Sequence, residues 1–559
     1  MKTSYKNRIL QSLISVFLCG CVLGAVIFFV IYGTSIVNPQ NDKWLLRQNS
    51  DMTQHYLGWV FFRRSEWKFP LGLMDGLSYN HLVSCMFTDS IPLLAIFFKI
   101  LSPVLPHTFQ YTGMWCLFCH MAQGGISASI LHKFSKNPLF CLIGSMFFIV
   151  SPPELHRMFM HESLGGHWII LFALCIWIYN DHKWKCKATP IILWTLCGIL
   201  AVSVHAYFVP MVYMILIGYV IIDIAKNHKI IRPILCLVST TIFTLITMYI
   251  IGAFYGNGDM DANGLGKFSA NLNTFFNGMN VSKILKPLHT SYEQYEGFGY
   301  LGFGMLIAGV LSLVMLSEKV ESASSTFIGG AKKIICSYKW EIISVMSVMC
   351  LCLFFAASPV CTFNGHILYK IEYSHSIAKK LSIFRASGRF IWVADYILYT
   401  FILAAISKLG KFKTSIIALT FCAAMQIYDL KDFVILRHRS FSHQAEYTSP
   451  LKNEKWNKIS ENSDMVVFMS MPNDVVGIMK MYFVFAEYAD ENNLNLSSFH
   501  IARKSNKEYA DYVENQYKLL ENGKADKENI YLFADGKPFP HNKNLNVYKI
   551  DGYIAVKMK

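Results

Sequence analysis

The stretch Asn49-Ser50-Asp51-Met52-Thr53-Gln54-His55 carries a carboxylate and an imidazole four residues apart, a spacing that puts both on one face of a helix. With Ser50 as the helix cap, Asp51 falls in the first turn, where the helix dipole favours an ionised carboxylate. An acid so placed suits general-base work, taking a proton from a hydroxyl as that hydroxyl attacks. A second acid, Asp89, stands in Thr88-Asp89-Ser90-Ile91-Pro92, a segment that reads as the start of a helix with Pro92 in its first turn. Capping alone accounts for either acid. What sets the two apart is that flanking apolar segments deliver both to the same side at a similar depth.

Three further groups of polar residues are candidates for binding. The stretch 153–164 holds Glu154, His156, Arg157, His161 and Glu162, and Arg157 and His161 would share a helical face; the plain alternative is side chains reaching for water at a membrane surface. His161-Glu162 is followed by Gly165-Gly166-His167 rather than completing H-E-x-x-H, which argues against a zinc-protease site. In Phe384-Arg385-Ala386-Ser387-Gly388-Arg389-Phe390-Ile391-Trp392, two guanidiniums four apart suit an oxyanion clamp, with lipid-headgroup anchoring as the alternative. The stretch 254–298 contains Glu293 and Glu296 among Gly and Tyr residues, a spacing that suits a loop covering a substrate. His205 reads as a hydrogen-bonded interfacial histidine, and Cys116-Leu117-Phe118-Cys119-His120, although it matches C-x-x-C-H, reads as core.

The elements that must position these residues are membrane helices. Of 559 residues, 53% are hydrophobic and only 16% charged, against about a quarter charged in soluble proteins. The formal net charge of +15 fits basic cytoplasmic loops better than nucleic acid, which is excluded as a partner. Residues 9–32 run without a charge behind Lys2, Lys6 and Arg8, long enough to span about 30 Å of hydrocarbon, and read as a retained anchor with the N-terminus in the cytoplasm. Further spans are expected near 109–132, 137–152, 165–180, 189–203, 206–224, 231–253, 299–317, 340–358, 390–408 and 413–428.

The apolar segment 91–105 decides the topology. It contains Lys99, Pro92 and Pro103, and treating it as an interfacial helix keeps the basic connections near 133–136, 181–187, 226–232, 319–339 and 408–413 on one side. The expected architecture is an α-helical polytopic membrane protein of about 11 transmembrane helices over 1–428, with a first extracytoplasmic loop at 33–108. A small C-terminal α/β domain over 429–559 follows outside, with strands at 464–469, 529–534 and 545–558 and helices at 477–491 and 508–522. The 15 Cys show no disulfide framework.

An acid soon after the first span, a second acid before an interfacial helix, and a soluble C-terminal domain outside make the chain resemble the GT-C class of integral-membrane glycosyltransferases. The residues that carry the resemblance are Asp51 with His55, Thr88-Asp89-Ser90-Ile91-Pro92, and the phosphate-compatible Arg385 and Arg389. The similarity covers most of 1–428 and looks most like a bacterial branch of the class. It implies a multi-pass enzyme of the inner, cytoplasmic membrane that moves a sugar from a polyprenyl-phosphate carrier to a glycan or lipid acceptor, with inversion. Asp51 would then be the general base and Asp89 a supporting acid or the partner of a divalent metal. Arg385, Arg389 and Arg157 would hold the leaving phosphate, with His55, His161, Glu162 and Glu296 in the substrate site. The first loop lacks D-x-D, and the lone Asp259-Met260-Asp261 lies in a later loop, which leaves metal dependence open. The rival reading is a transporter or flippase of a lipid-linked sugar or another anionic substrate, although the charges gather outside rather than at mid-membrane.

Overall fold

The computed structural model describes residues 2–181, 186–228, 230–256, 264–324, 326–408, 412–502 and 505–559; Asp259-Met260-Asp261 lies outside them. Long apolar runs become helices, and among the described residues seven are long and apolar enough to cross a membrane: Gln11–Tyr32, Thr112–His132, Phe208–Asn227, Ile231–Ile250, Phe303–Ala323, Lys339–Ala357 and Ser387–Ile406. Pro138–Ile149, Glu162–Ile178 and Thr189–Val204 are shorter apolar helices. Helix Phe412–Phe441 has 30 residues and runs through the domain boundary expected at 428/429.

The chain divides into two compact units. The first comprises Met1–Asn38, Gly113–Leu245 and Met260–His443. Small residues let its helices approach closely: a Cβ on Gly20 or Gly24 would collide with the backbone at Gly124 or His120, the use to which a G-x-x-x-G spacing is put in membrane helices. Cys116, Cys119 and His120 are buried on this helix, with His120 Nδ1 3.1 Å from the Cys116 carbonyl, so the C-x-x-C-H residues are core. The largest buried side chains of the unit include Trp194, Trp392, Tyr219, Tyr396 and Tyr399.

The second unit comprises Pro39–Thr112, Ile246–Asp259 and Gln444–Lys559, so the first loop belongs with the C-terminal domain rather than with the membrane helices to which the sequence assigned it. The segment expected to lie at the interface forms the helix Pro92–Ile100 followed by a 3-10 turn at Ser102–Val104. Nine residues rise only about 14 Å, too little to span. Lys99 is buried there, its Nζ 3.0 Å from Ser65 Oγ and 4.2 Å from the centre of the Phe62 ring.

The C-terminal part is a five-stranded sheet in the order Asn495–Leu496, Met465–Phe468, Asn529–Ala534, Tyr553–Met558 and Leu545–Ile550. The first three strands are parallel, linked by the helices Val475–Glu491 and Asn506–Glu521, and the last two form an antiparallel hairpin. The single strand expected at 545–558 is therefore two, turned at Asp551-Gly552, where both residues have positive φ. Its core packs Val467, Leu520, Tyr531, Phe533, Ile554 and Val556 together. This part rests on the first loop within the same unit: Arg64 donates to the Ala489 carbonyl at 3.0 Å and also bonds the Leu494 carbonyl.

Candidate functional site

In the second unit the helix Asp51–Arg64 begins where the sequence places it, with Ser50 extended at the N-cap and its N–H donating to Thr53 Oγ1 at 3.3 Å. Asp51 is half-buried in the first turn, and His55 is buried one turn further on. Gly58 lets the Thr88 side chain press against this helix, since a Cβ at that position would overlap it. The contact is tied by Ser90 Oγ, which donates to the His55 carbonyl at 2.8 Å, and by Tyr111, whose hydroxyl bonds the Ser90 carbonyl.

Asp89 is not an N-cap. It closes the 3-10 turn Cys85–Thr88 in a left-handed conformation, φ 54°, and Ile91 takes the capping place of the following helix. That turn brings a carboxylate oxygen of Asp89 within 4.8 Å of a ring nitrogen of His55. The acid brought to His55 across the fold is Asp89, whereas Asp51 shares its helix. An Asp–His pair of this kind can move a proton or hold one position of a cation.

The first unit gathers the charged residues of three connections. Glu296 Oε2 accepts from Arg157 Nη2 at 2.8 Å and from Arg389 Nε at 2.7 Å. All three residues are buried. Local backbone explains how chain segments so far apart meet: a Cβ on Gly388 would lie 2.6 Å from the Gly297 Cα, so only glycine allows the two strands of chain to touch and set Glu296 beside Arg389. Burial would raise the Glu296 carboxyl, but the Arg389 guanidinium, then Arg157, overcome it and hold the group well below the usual carboxylate range; His161 adds to the same effect. Aromatic faces complete the enclosure, with Arg389 4.5 Å from the Tyr207 ring centre and Arg157 5.9 Å from that of Trp392.

The sequence-based candidates distribute unevenly around this cluster. Arg157 ends the helix Pro152–Arg157 and His161 lies beyond it, at the start of the 3-10 turn Glu162–Gly165, so the two do not share a helical face; both nevertheless act on Glu296. Arg385 and Arg389 are separated by the turn at Ala386, and Arg385 stays exposed, 5.9 Å from the Phe268 ring centre. Glu162 is buried elsewhere, its carbonyl accepting from Trp115 Nε1 at 2.8 Å. The sequence reading missed Tyr207, which accepts from the Ala386 N–H at 2.8 Å, and Trp392, which donates to the Phe298 carbonyl at 3.1 Å. It passed over His205, whose ring lies 5.3 Å from that of His161. The only signal for these was aromatic residues beside the Arg and His positions.

Two guanidiniums on one carboxylate leave a net positive charge in an enclosed, aromatic setting, suited to an anion with several oxygens. Fold and site together define a helical protein with membrane-length apolar helices and a small C-terminal sheet domain. The chain belongs to the DUF6311 family, a domain of unknown function matched over residues 21–431. Residues 455–557 match the DUF6311 C-terminal domain. No curated protein matches the chain.

Proposed function

We propose that this protein is a membrane glycosyltransferase of GT-C type, with about eleven spans, that moves a sugar from a polyprenyl-phosphate donor to a glycan or lipid acceptor outside the cytoplasm. The observation that carries the reading is the buried Arg157–Glu296–Arg389 cluster: a carboxylate that holds two guanidiniums in place prepares a fixed positive site for a leaving phosphate. The exposed Arg385 would be the first cation such a phosphate meets. In this reading the acceptor hydroxyl oxygen attacks the anomeric carbon and its proton passes to Asp51. The bond from that carbon to the phosphate oxygen breaks, the electron pair stays on the phosphate, and the sugar is inverted. His55 and Asp89 would support the proton transfer or hold a divalent metal. The basic connections Lys133 to Lys136, Lys226 to Arg232 and Lys319 to Lys339 favour a cytoplasmic placement of the opposite helix ends and of the N-terminus.

The test is sugar transfer in membrane vesicles supplied with radiolabelled polyprenyl-phosphate sugars. Asp51→Asn is expected to lose transfer by about 100-fold or more while keeping donor binding, and transfer at the native rate removes Asp51 from the mechanism. A transporter is the second reading, favoured by Asp395, which is buried within the span Ser387–Ile406 with neither carboxylate oxygen hydrogen-bonded among the described residues. Unpaired acids inside a span mark coupling sites. Vesicles that accumulate intact lipid-linked sugar on the far leaflet without transferring it would favour that reading.

A further inference from the structure

A cavity of about 510 Å³ adjoins the charged cluster in the first unit, bounded by His156, Met160, Asn280, Leu288, Thr290 and Tyr295 among others. Tyr295 belongs to both places, since it lines the cavity and its ring centre lies 5.6 Å from the Arg157 guanidinium carbon. The wall differs sharply in chemistry from the cluster beside it. None of its residues is an acid, a lysine or an arginine. Burial first, then the Arg157 and Arg437 guanidiniums, push the His156 imidazole down to about 3, so it is neutral at physiological pH and offers one donor and one acceptor.

The wall is nevertheless polar where a ligand would touch it. His156 Nδ1 is buried without a hydrogen-bond partner among the described residues, while the exposed Asn280 amide and the half-buried Thr290 hydroxyl stand at the solvent-facing rim. Buried polar atoms are rarely left unsatisfied unless something else fills the place. Tyr295, Met160 and Leu288 supply apolar faces between these groups. Neutral donors and acceptors set around an aromatic ring match a pyranose, which shows hydroxyls at its rim and C–H groups on its faces. The volume is sufficient: a water's share is about 30 Å³, and a hexose, with about a dozen covalently packed heavy atoms, needs less than a dozen such shares.

We propose that this cavity is a subsite for an uncharged sugar ring, next to a cluster that takes the anionic part of the same substrate. The choice of a sugar as ligand rests on the glycosyl-transfer reading; the neutrality and polarity of the subsite rest on its own wall. The loop that supplies most of the wall is therefore a recognition element that meets the sugar through uncharged groups.

The experiment is saturation-transfer NMR on the full chain in detergent micelles, with a panel of neutral methyl glycosides and with glucose 1-phosphate and glucuronate as charged probes. Saturation is expected on at least one neutral glycoside, unaffected by equimolar glucuronate. Asn280→Trp, which fills the cavity from its exposed rim, is expected to abolish it with no change in melting temperature. Thr290→Val keeps the side-chain shape and is expected to weaken the same glycoside about two- to tenfold, the cost of one neutral hydrogen bond. Absence of saturation on every neutral glycoside, or equal saturation in native and Asn280→Trp protein, overturns the subsite. Binding that persists when no polyprenyl-phosphate sugar is transferred would keep the subsite and sink the transferase reading. Transfer that persists unaltered in Asn280→Trp would do the reverse.

Discussion

Glu154 and Glu296 are two buried glutamates of the same unit with opposite surroundings. Glu296 has a guanidinium on either side, at 2.7 and 2.8 Å. Glu154 is 0% exposed and neither of its oxygens has a partner among the described residues. Arg157 lies three residues after Glu154 on the same short helix, a spacing that lets side chains meet, yet the fold commits it to Glu296. Burial pushes the Glu154 carboxyl well above its ordinary range, whereas the two cations hold Glu296 far below it. Two buried carboxyls thus give a neutral acid at one position and an anion at the other, and the partners decide which. The anion organises cations that a substrate can use. The neutral acid contributes a hydrogen-bond donor in a place where a charge would be expelled.

The largest effect that tests this contrast is expected at Glu296. Glu296→Gln removes the charge that compensates two buried guanidiniums, and breaking a buried pair in this way costs about 3–5 kcal/mol. Because the folded carboxyl sits below its unfolded value of about 4.3, its contribution is present above that value and is lost as pH falls through the folded one. Thermal unfolding in micelles of native and variant protein, repeated down an acid series, reads both effects. A loss below about 1 kcal/mol, the size of a surface ion pair, would mean that the cluster is solvated and the comparison fails.

Glu154 should respond in the opposite sense. Its folded value is raised, so its contribution is complete below about 4.3 and is lost as pH rises through the folded value. Glu154→Gln preserves the shape of the protonated acid and cannot ionise. The variant is expected to match native protein in weak acid and to exceed it in alkali by about 1–3 kcal/mol, the range for an unsatisfied buried polar group. The measurement is the difference between native and variant melting curves as a function of pH. A difference that does not change with pH would show that the Glu154 carboxyl titrates alike in the folded and unfolded chain, and the contrast with Glu296 would fail.

What the sequence made legible follows from the range of the interactions involved. The cap at Ser50 and the helix after it, the strand Asn529–Ala534, and the short non-spanning helix after Pro92 all depend on neighbours within a few residues, and each lies where it was expected. The hairpin at Asp551-Gly552 was missed, read as one strand over 545–558 although Asp-Gly is a strong two-residue turn signal, because a continuous β pattern on both sides hid it. The link from Glu296 to Arg389 spans 93 residues, and no periodicity encodes it; Gly297 and Gly388 are its only trace. Glu154 was read with the exposed cluster because His156, Arg157, His161 and Glu162 follow it, and only tertiary packing places it inside. Asp89 looked like a helix cap because Pro92 follows, but the left-handed turn at Asp89 and Ile91 moves the cap two residues on.

A third glutamate gives the comparison an intermediate point. Glu487, half-buried in the second unit, takes a hydrogen bond from the Tyr447 hydroxyl at 2.6 Å. Burial raises its carboxyl to about 7, with Glu491 and Asp42 adding to the rise and Tyr447 and Ser449 opposing it. Two neutral donors, Tyr447 and Ser449, therefore leave the acid between the extremes set by two guanidiniums and by no partner at all. Tyr447→Phe deletes one donor and keeps the ring, so the Glu487 value should climb by about one pH unit, or about 1.4 kcal/mol, with Ser449 limiting the change. Because the folded value is raised, stability from this group is full in acid and falls as pH rises through about 7; in the variant that fall moves to higher pH. Carboxyl carbon shifts of labelled glutamate, followed through a pH titration of the full chain, measure the step directly. A value that stays in place would mean that burial and the neighbouring acids set the Glu487 titration without Tyr447, and would remove hydrogen bonding from the gradation that separates Glu296 from Glu154.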